Sequence, residues 1–282
     1  MRLTPYIPAL IGRGFTAKLL KAFIIPIHVA EECIGYNIFV AHENAELNLS
    51  TQLNLLNRAI MLCTTVVAEI TAVKTLHATA FAAKQLTKLR DFETGEHLTR
   101  MAHLCALIAR NIRHVYHLSD EFIEFLFMFA SLHDIGKVGI PDHILLKEGR
   151  LNADERLVME THVEKGVAIV ENVITCYELL DEEAAQVLRD IVACHHEYLD
   201  GSGYPNGLVG EQIPIAARIV TVADIFDALT NTRPYKQDWS EQAAVKELQA
   251  MAMRGKVDTH CVQGLVNSLD EVTQINLTYQ DD

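Results

Sequence analysis

The chain has 282 residues, half of them hydrophobic, with 24 Lys+Arg against 37 Asp+Glu and a net charge of −13. At about 150 residues per domain this is one large domain or two smaller ones, long and apolar enough to bury a core, which excludes a disordered tail protein. The acidic balance excludes a general nucleic-acid or membrane-surface binder, either of which needs a basic footprint.

The first elements in the chain are Ala22–Ile27 and Ile34–Val40, apolar and partly β-branched, with the polar Ala30-Glu31-Glu32-Cys33 between them. That pattern predicts a β-hairpin. Residues 1–48 are too few for an independent core, so this small α/β piece leans on its neighbour or is the remnant of a larger domain. Residues 49–90 read as a long connecting helix. Leu56, Ile60, Cys63, Val67 and Ile70 alternate by four and three, and the phase then slips to Val73, Leu76 and Ala80. This spacing suits first a core helix packed on the C-terminal region, and second a parallel homodimer seam that transmits a signal.

Residues 91–282 are patterned as helix nearly throughout, so the fold class is mainly α. Ser119 is placed to cap a helix running through Phe122, Phe125, Phe129 and Leu132 to Gly136. Asn152 followed by Glu155 has the capping-box spacing. Asp181 opens a helix with Leu188, Ile191 and His195 on one face, Pro214 suits a helix start, and Ser240 to Gly255 is a further helix. Between two of these helices, Asp200-Gly-Ser-Gly-Tyr-Pro-Asn-Gly207 is a glycine-rich loop.

The six cysteines are scattered with no CxxC pair, which predicts a reducing, cytoplasmic setting. No run reaches the ~18 apolar residues of a membrane span, and the N-terminus lacks a signal-peptide pattern.

Histidine is over-represented, with 13 against seven methionines, and it is the commonest metal ligand. His133 and Asp134 are adjacent at the end of an apolar helix, where an ionised carboxylate needs a partner. Glu93 and His97 are four apart, on one face of a helix. His162 lies on an amphipathic helix with Gly166 one turn on. His195 and His196 end another helix, and Asp224 interrupts the apolar run Ile219 to Phe226. Each has an innocent explanation, yet five imidazoles and three carboxylates placed at helix ends or on core-facing stripes are hard to explain independently. A divalent ion is one partner that such groups accept. His103, His114, His117, His143 and His260 lack ligand spacing, and His28, His42 and His77 lie outside this domain.

Five segments in this order resemble the HD-GYP family. They are His133-Asp134-Ile-Gly-Lys137, His195-His196-Glu197, Asp200-Gly-Ser-Gly203-Tyr204-Pro205, Ala223-Asp224-Ile-Phe-Asp227-Ala-Leu and Arg233-Pro-Tyr-Lys236. The family belongs to the HD superfamily of metal-dependent phosphohydrolases and cleaves cyclic dinucleotides, chiefly cyclic di-GMP. The resemblance implies an HD-type helical bundle enclosing two or three divalent ions, iron or manganese favoured. It implies metal ligands at His133, Asp134, His162, His195, His196 and Asp224, and a third-metal pair at Glu93 and His97. Asp134 and Lys137 would be catalytic, Gly203, Tyr204, Arg233 and Lys236 would serve the substrate, and Asp227 would be a supporting acid grouped with them.

In the implied reaction a metal-activated hydroxide attacks the phosphodiester, converting cyclic di-GMP to pGpG, with GMP as the product of a further cut. Cyclic GMP-AMP is the alternative substrate. A weakly catalytic cyclic di-GMP receptor acting through signalling protein partners is the alternative from another class. Tyr198-Leu199 stands where the family usually has Arg-Trp, and Val257-Asp258-Thr259 where it has Phe-Asp-Pro. Residues 22–40 with the helix that follows resemble, more weakly, the C-terminal half of a GAF sensory domain.

Overall fold

A computed structural model describes residues 19–29, 32–42, 54, 57–62, 95–176, 182–231 and 239–280. The chain divides into two compact units, residues 1–74 and 75–282. In the first, β1 (Leu19–Val29) and β2 (Glu32–His42) form the expected antiparallel hairpin, with Ile24 opposite Ile38 and Val29 opposite Glu32. Both strands are longer than predicted, and Glu32 and Cys33 belong to β2 instead of the turn. Of the connecting helix, residues 54 and 57–62 are described and are helical. The rest of its spacing pattern, including the proposed dimer seam, lies outside the described residues.

Apart from one isolated bridge between Asp200 and Val209, the regular elements among the described residues of the second unit are helices. α1 (Gly95–Tyr116) is its centre and packs on α2 (Asp120–Phe129), α7 (Ile215–Thr230) and α9 (Thr259–Val266). Leu98, Met101, Leu104, Cys105, Ile108 and Ile112 recur at three and four, and none is more than 2 % exposed. Burying one such side chain contributes about 1.5–3 kcal/mol, which is why this stripe, and not propensity, holds the helix. α5 (His162–Cys176) and α6 (Glu182–Cys194) pack on each other, and α8 (Glu241–Met253) and α10 (Leu269–Thr278) close the bundle.

The predicted starts at Ser119, Pro214 and Ser240 are present, while Asp181 lies outside the described residues. Ser119 Oγ accepts from Phe122 N–H, Ser240 Oγ accepts from Ala243 N–H, and Pro214 precedes α7. Two short helices intervene, α3 (Asp142–Leu145) and α4 (Ala153–Glu160). The latter opens with the full Asn152/Glu155 capping box, both bonds 2.8 Å.

One boundary differs in a way that matters. α2 does not continue to Gly136; it stops at Phe129, and two 3-10 turns, Ala130–Leu132 and Ile135–Gly139, carry the chain onward. The apolar spacing does continue past Phe129, but main-chain packing overrides it. A Cβ on Gly136 would stand 1.8 Å from the His162 carbonyl oxygen and 2.4 Å from Gly166 N. The backbone here rests directly on α5. His133 and Asp134 occupy the corner between the two turns.

Among the described residues, no helix is long and apolar enough to cross a membrane. Cys105, Cys194 and Cys261 are buried free thiols.

Candidate metal centre

The bundle brings the predicted ligands together from five places in the chain. His97 comes from α1, His133 and Asp134 from the corner, His162 from the first position of α5, His195 and His196 from just past α6, and Asp224 from α7. They form two groups, each with ligand atoms mutually within 4.8 Å: Asp134, His162, His195 and His196 in one, and His97, His133 and Asp224 in the other. Asp134 joins them. Its Oδ1 lies 3.1 Å from His162 Nε2 and 3.6 Å from His195 Nε2, while its Oδ2 lies 3.3 Å from His133 Nε2 and 2.9 Å from Lys137 Nζ.

The ring orientations are fixed from behind. His133 Nδ1 bonds the Ala130 carbonyl at 2.8 Å, His162 Nδ1 the Met159 carbonyl at 2.8 Å and His195 Nδ1 the Ile191 carbonyl at 3.1 Å. His97 Nδ1 instead bonds Asp227 Oδ2 at 2.7 Å. A carbonyl only accepts, so each carbonyl-bound Nδ1 carries the proton, and a neutral ring then presents a bare lone pair at Nε2. Two of these, on His162 and His195, stand 3.5 Å apart beside the Asp134 carboxylate.

Such a crowd of acceptors in a buried place repels itself unless a cation enters. Asp134 Oδ1 is buried and has no hydrogen bond aligned on it. The donor set therefore fits divalent metal, with imidazole and carboxylate ligands and histidine tautomers held by outer partners.

Electrostatics agree. Burial works against ionising Asp134, but the Lys137 ammonium beside it holds its carboxyl well below the usual carboxylate range. Burial pulls His195 and His196 below 6.5, so both stay neutral and free to ligate. The unfolded chain protonates these two rings near pH 6.5 and the native one does not. The metal-free protein is therefore expected to lose stability as pH falls below about 6.5, by up to about 1.4 kcal/mol per pH unit for each ring. Thermal unfolding of metal-stripped protein between pH 7.5 and 5.5 checks this, and a melting temperature that is flat or rises on acidification contradicts it.

The glycine-rich loop lies over this centre. Tyr204 stacks on His196, with ring centroids 4.6 Å apart, and its N–H donates to the His196 carbonyl. Burial, then the Asp134 charge, push the Tyr204 phenol up, so it remains an O–H donor. Gly203 has a packing reason, since a Cβ there would meet Tyr198 N at 2.4 Å and the His196 carbonyl at 2.5 Å. Glu197, quoted in the sequence motif but given no role there, is 2 % exposed. Its carboxylate accepts from Asn206 N–H at 2.7 Å and Leu208 N–H at 3.0 Å, pinning the loop. Lys256 Nζ lies 4.3 Å from the Tyr198 ring, and the Lys256 carbonyl accepts from Leu199 N–H, which seats the Tyr198-Leu199 departure.

Asp227 supports a histidine of the site. Grouped with the substrate residues, it is instead buried, with both carboxylate oxygens turned to Arg100 and His97. Arg100 itself escaped the sequence reading. Its one signal was a cation three residues after His97, inside an apolar stripe, where a buried charge needs a partner. Glu93, Arg233 and Lys236 lie outside the described residues. His114, His117, His143 and His260 are exposed, and His103 stacks on Tyr279.

With this geometry in view, residues 89–261 match the family model described as the HD domain. The chain belongs to the HD domain family. Its HD domain is 44% identical over 190 residues to the cyclic di-GMP phosphodiesterase response regulator RpfG of Xanthomonas campestris, covering 66% of this chain and 46% of that protein. It is 40% identical to the 3'3'-cGAMP-specific phosphodiesterase 2 of Vibrio cholerae, covering 68% of this chain and 34% of that one. It is 35% identical to a cyclic di-GMP phosphodiesterase of Thermotoga maritima, covering 70% and 50%. The chain thus spans half or less of the length of these curated relatives.

Proposed function

We propose that the HD domain hydrolyses a cyclic dinucleotide, with cyclic di-GMP as the substrate, pGpG as the product and GMP as the product of a further cut. The observation that carries this reading is the pair of ligand groups sharing Asp134 beneath the Tyr204 loop. When bound, divalent ions supply charge neutralisation at the phosphoryl oxygens and a water acidic enough to act as nucleophile at neutral pH.

The chain's own residues do the rest. Asp134 turns one oxygen to each group, and the histidines offer preset Nε2 lone pairs. Lys137, 2.9 Å from Asp134, keeps that carboxylate ionised and brings an ammonium to the edge of the site. Tyr204 offers a ring face for a base and an O–H for a phosphate oxygen. Arg233 and Lys236 supply a bidentate and a point-charge grip on phosphate. The mixed imidazole and carboxylate donors favour iron or manganese, and Glu93 with His97 adds a third ion. Cyclic GMP-AMP is the second substrate reading, supported by the 40% identity to a 3'3'-cGAMP-specific relative. A cytoplasmic location, a sensory role for residues 1–48 and a dimer through residues 49–90 belong to the same reading, supported by the cysteine pattern and the residue spacing.

The test is elemental analysis of anaerobically prepared protein, paired with hydrolysis assays on cyclic di-GMP, 3'3'-cGAMP and mononucleotides. Turnover of cyclic di-GMP to pGpG supports the reading. Metal-loaded protein that cleaves only mononucleotides, or binds the dinucleotide without turnover, overturns it. In the same preparation Glu93→Ala should lower the metal count by about one ion while the rest of the site fills; an unchanged count rules out the third ion.

A further inference from the structure

The four histidines whose Nδ1 partners are described are not anchored alike. His133, His162 and His195 each bond a main-chain carbonyl three or four residues earlier, so their own local backbone sets their direction. His97 is held across the fold, by a carboxylate on α7 that is 130 residues away. That carboxylate, Asp227, is gripped in turn by Arg100, whose Nε donates to Oδ1 at 2.6 Å and Nη2 to Oδ2 at 3.1 Å. Arg100 is 1 % exposed and heads the largest fully buried side chains among the described residues. Its Nη1 donates at 2.7 Å to the carbonyl of Tyr279, at the C-terminal end of α10, where helix carbonyls carry partial negative charge. The Tyr279 ring lies stacked on His103 of α1, with centroids 5.0 Å apart.

We infer that Arg100 and Asp227 are a positioning pair that sets His97 as a metal ligand, and that the Tyr279 carbonyl latches the pair, tying α10 to one of the two ligand groups. The inference rests on the metal-centre reading above. A carboxylate behind an imidazole fixes its tautomer and raises its basicity more than a carbonyl does. The bidentate fork lets Asp227 point an oxygen at His97 without rotating. The group containing His97, His133 and Asp224 is therefore sensitive to tertiary packing in a way the other group is not.

The experiment is a calorimetric titration of Mn²⁺ into metal-stripped protein carrying all 282 residues, with apoprotein melting measured alongside. Arg100→Gln should weaken binding at the group that contains His97 by about 10- to 100-fold and leave the ion at the Asp134, His162, His195 and His196 group unchanged. Arg100→Lys, which keeps the charge but loses the fork, should fall between Arg100→Gln and the parent. If Arg100→Gln does not fold, Asp227→Asn, nearly identical in shape, should weaken the ion at the His97 group. A chain ending at Thr278 removes the latch without touching a ligand, and should weaken that ion by less.

Equal weakening of both ions, or lower melting with unchanged metal affinity, overturns the positioning role. A shortened chain that binds as the parent does overturns the latch. Parent protein that binds both ions but cleaves no cyclic dinucleotide refutes the proposed function and leaves this inference standing.

Discussion

Asp134→Ala should leave a protein that folds but neither holds its full metal complement nor turns over a cyclic dinucleotide. The carboxylate is the only anion whose two oxygens reach both ligand groups among the described residues, with Oδ1 toward His162 and His195 and Oδ2 toward His133. Removing it leaves cations to be held by neutral rings and by Asp224 on one side only. It also leaves Lys137 facing them without its 2.9 Å counter-ion. Several kcal/mol of metal-assisted charge stabilisation should go with it, so the rate is expected to drop by about three orders of magnitude or more. Elemental analysis and a cyclic di-GMP assay on one preparation check both halves. Full metal content, or activity within tenfold of the parent, contradicts the shared-ligand geometry.

The second large effect is expected from a methyl group. Gly136→Ala places a Cβ 1.8 Å from the His162 carbonyl oxygen and 2.4 Å from Gly166 N. Both are main-chain atoms, so no flexible side chain can yield, and α5 must move away from the corner. Overpacking of this kind costs about 3 kcal/mol. It also carries His162, the first residue of α5, away from Asp134. The variant should melt well below the parent and bind less metal at saturation. A control, Gly149→Ala, places its Cβ where nothing lies within 4 Å, although its positive φ adds local strain of its own. If Gly136→Ala matches that control in both readouts, the backbone contact does not position the site.

Much of the site could be read from residue types alone, because imidazoles and carboxylates on apolar helix faces need a reason to be there. The spacing also made the hairpin, the caps at Ser119 and Asn152 and the loop at 200–207 visible. The division into two groups around Asp134 could not be read, since it depends on where a helix stops. Apolar periodicity from Phe122 to Leu132 argues for continuation, and the contact of Gly136 with α5, between residues distant in sequence, decides otherwise. Arg100 was hidden for a similar reason. A lone arginine on a helix ordinarily extends its stem along the surface with its head in water, and only the arrival of α7 and α10 shuts this one in. Asp227 could be read as a supporting acid from its motif, but which residues it supports depends on the turn of α7, which directs it to Arg100 and His97.

His195, His196 and Glu197 are consecutive, yet they serve two parts of the molecule. Two rings join the ligand group, and the third side chain holds the loop through the Asn206 and Leu208 amides. Lid and ligands are thus cut from the same turn of chain, so neither can be exchanged alone. A chimera meant to alter substrate choice by importing a relative's loop would have to import this tripeptide with it. Otherwise the foreign loop would lose its anchor or drag the two imidazoles out of register.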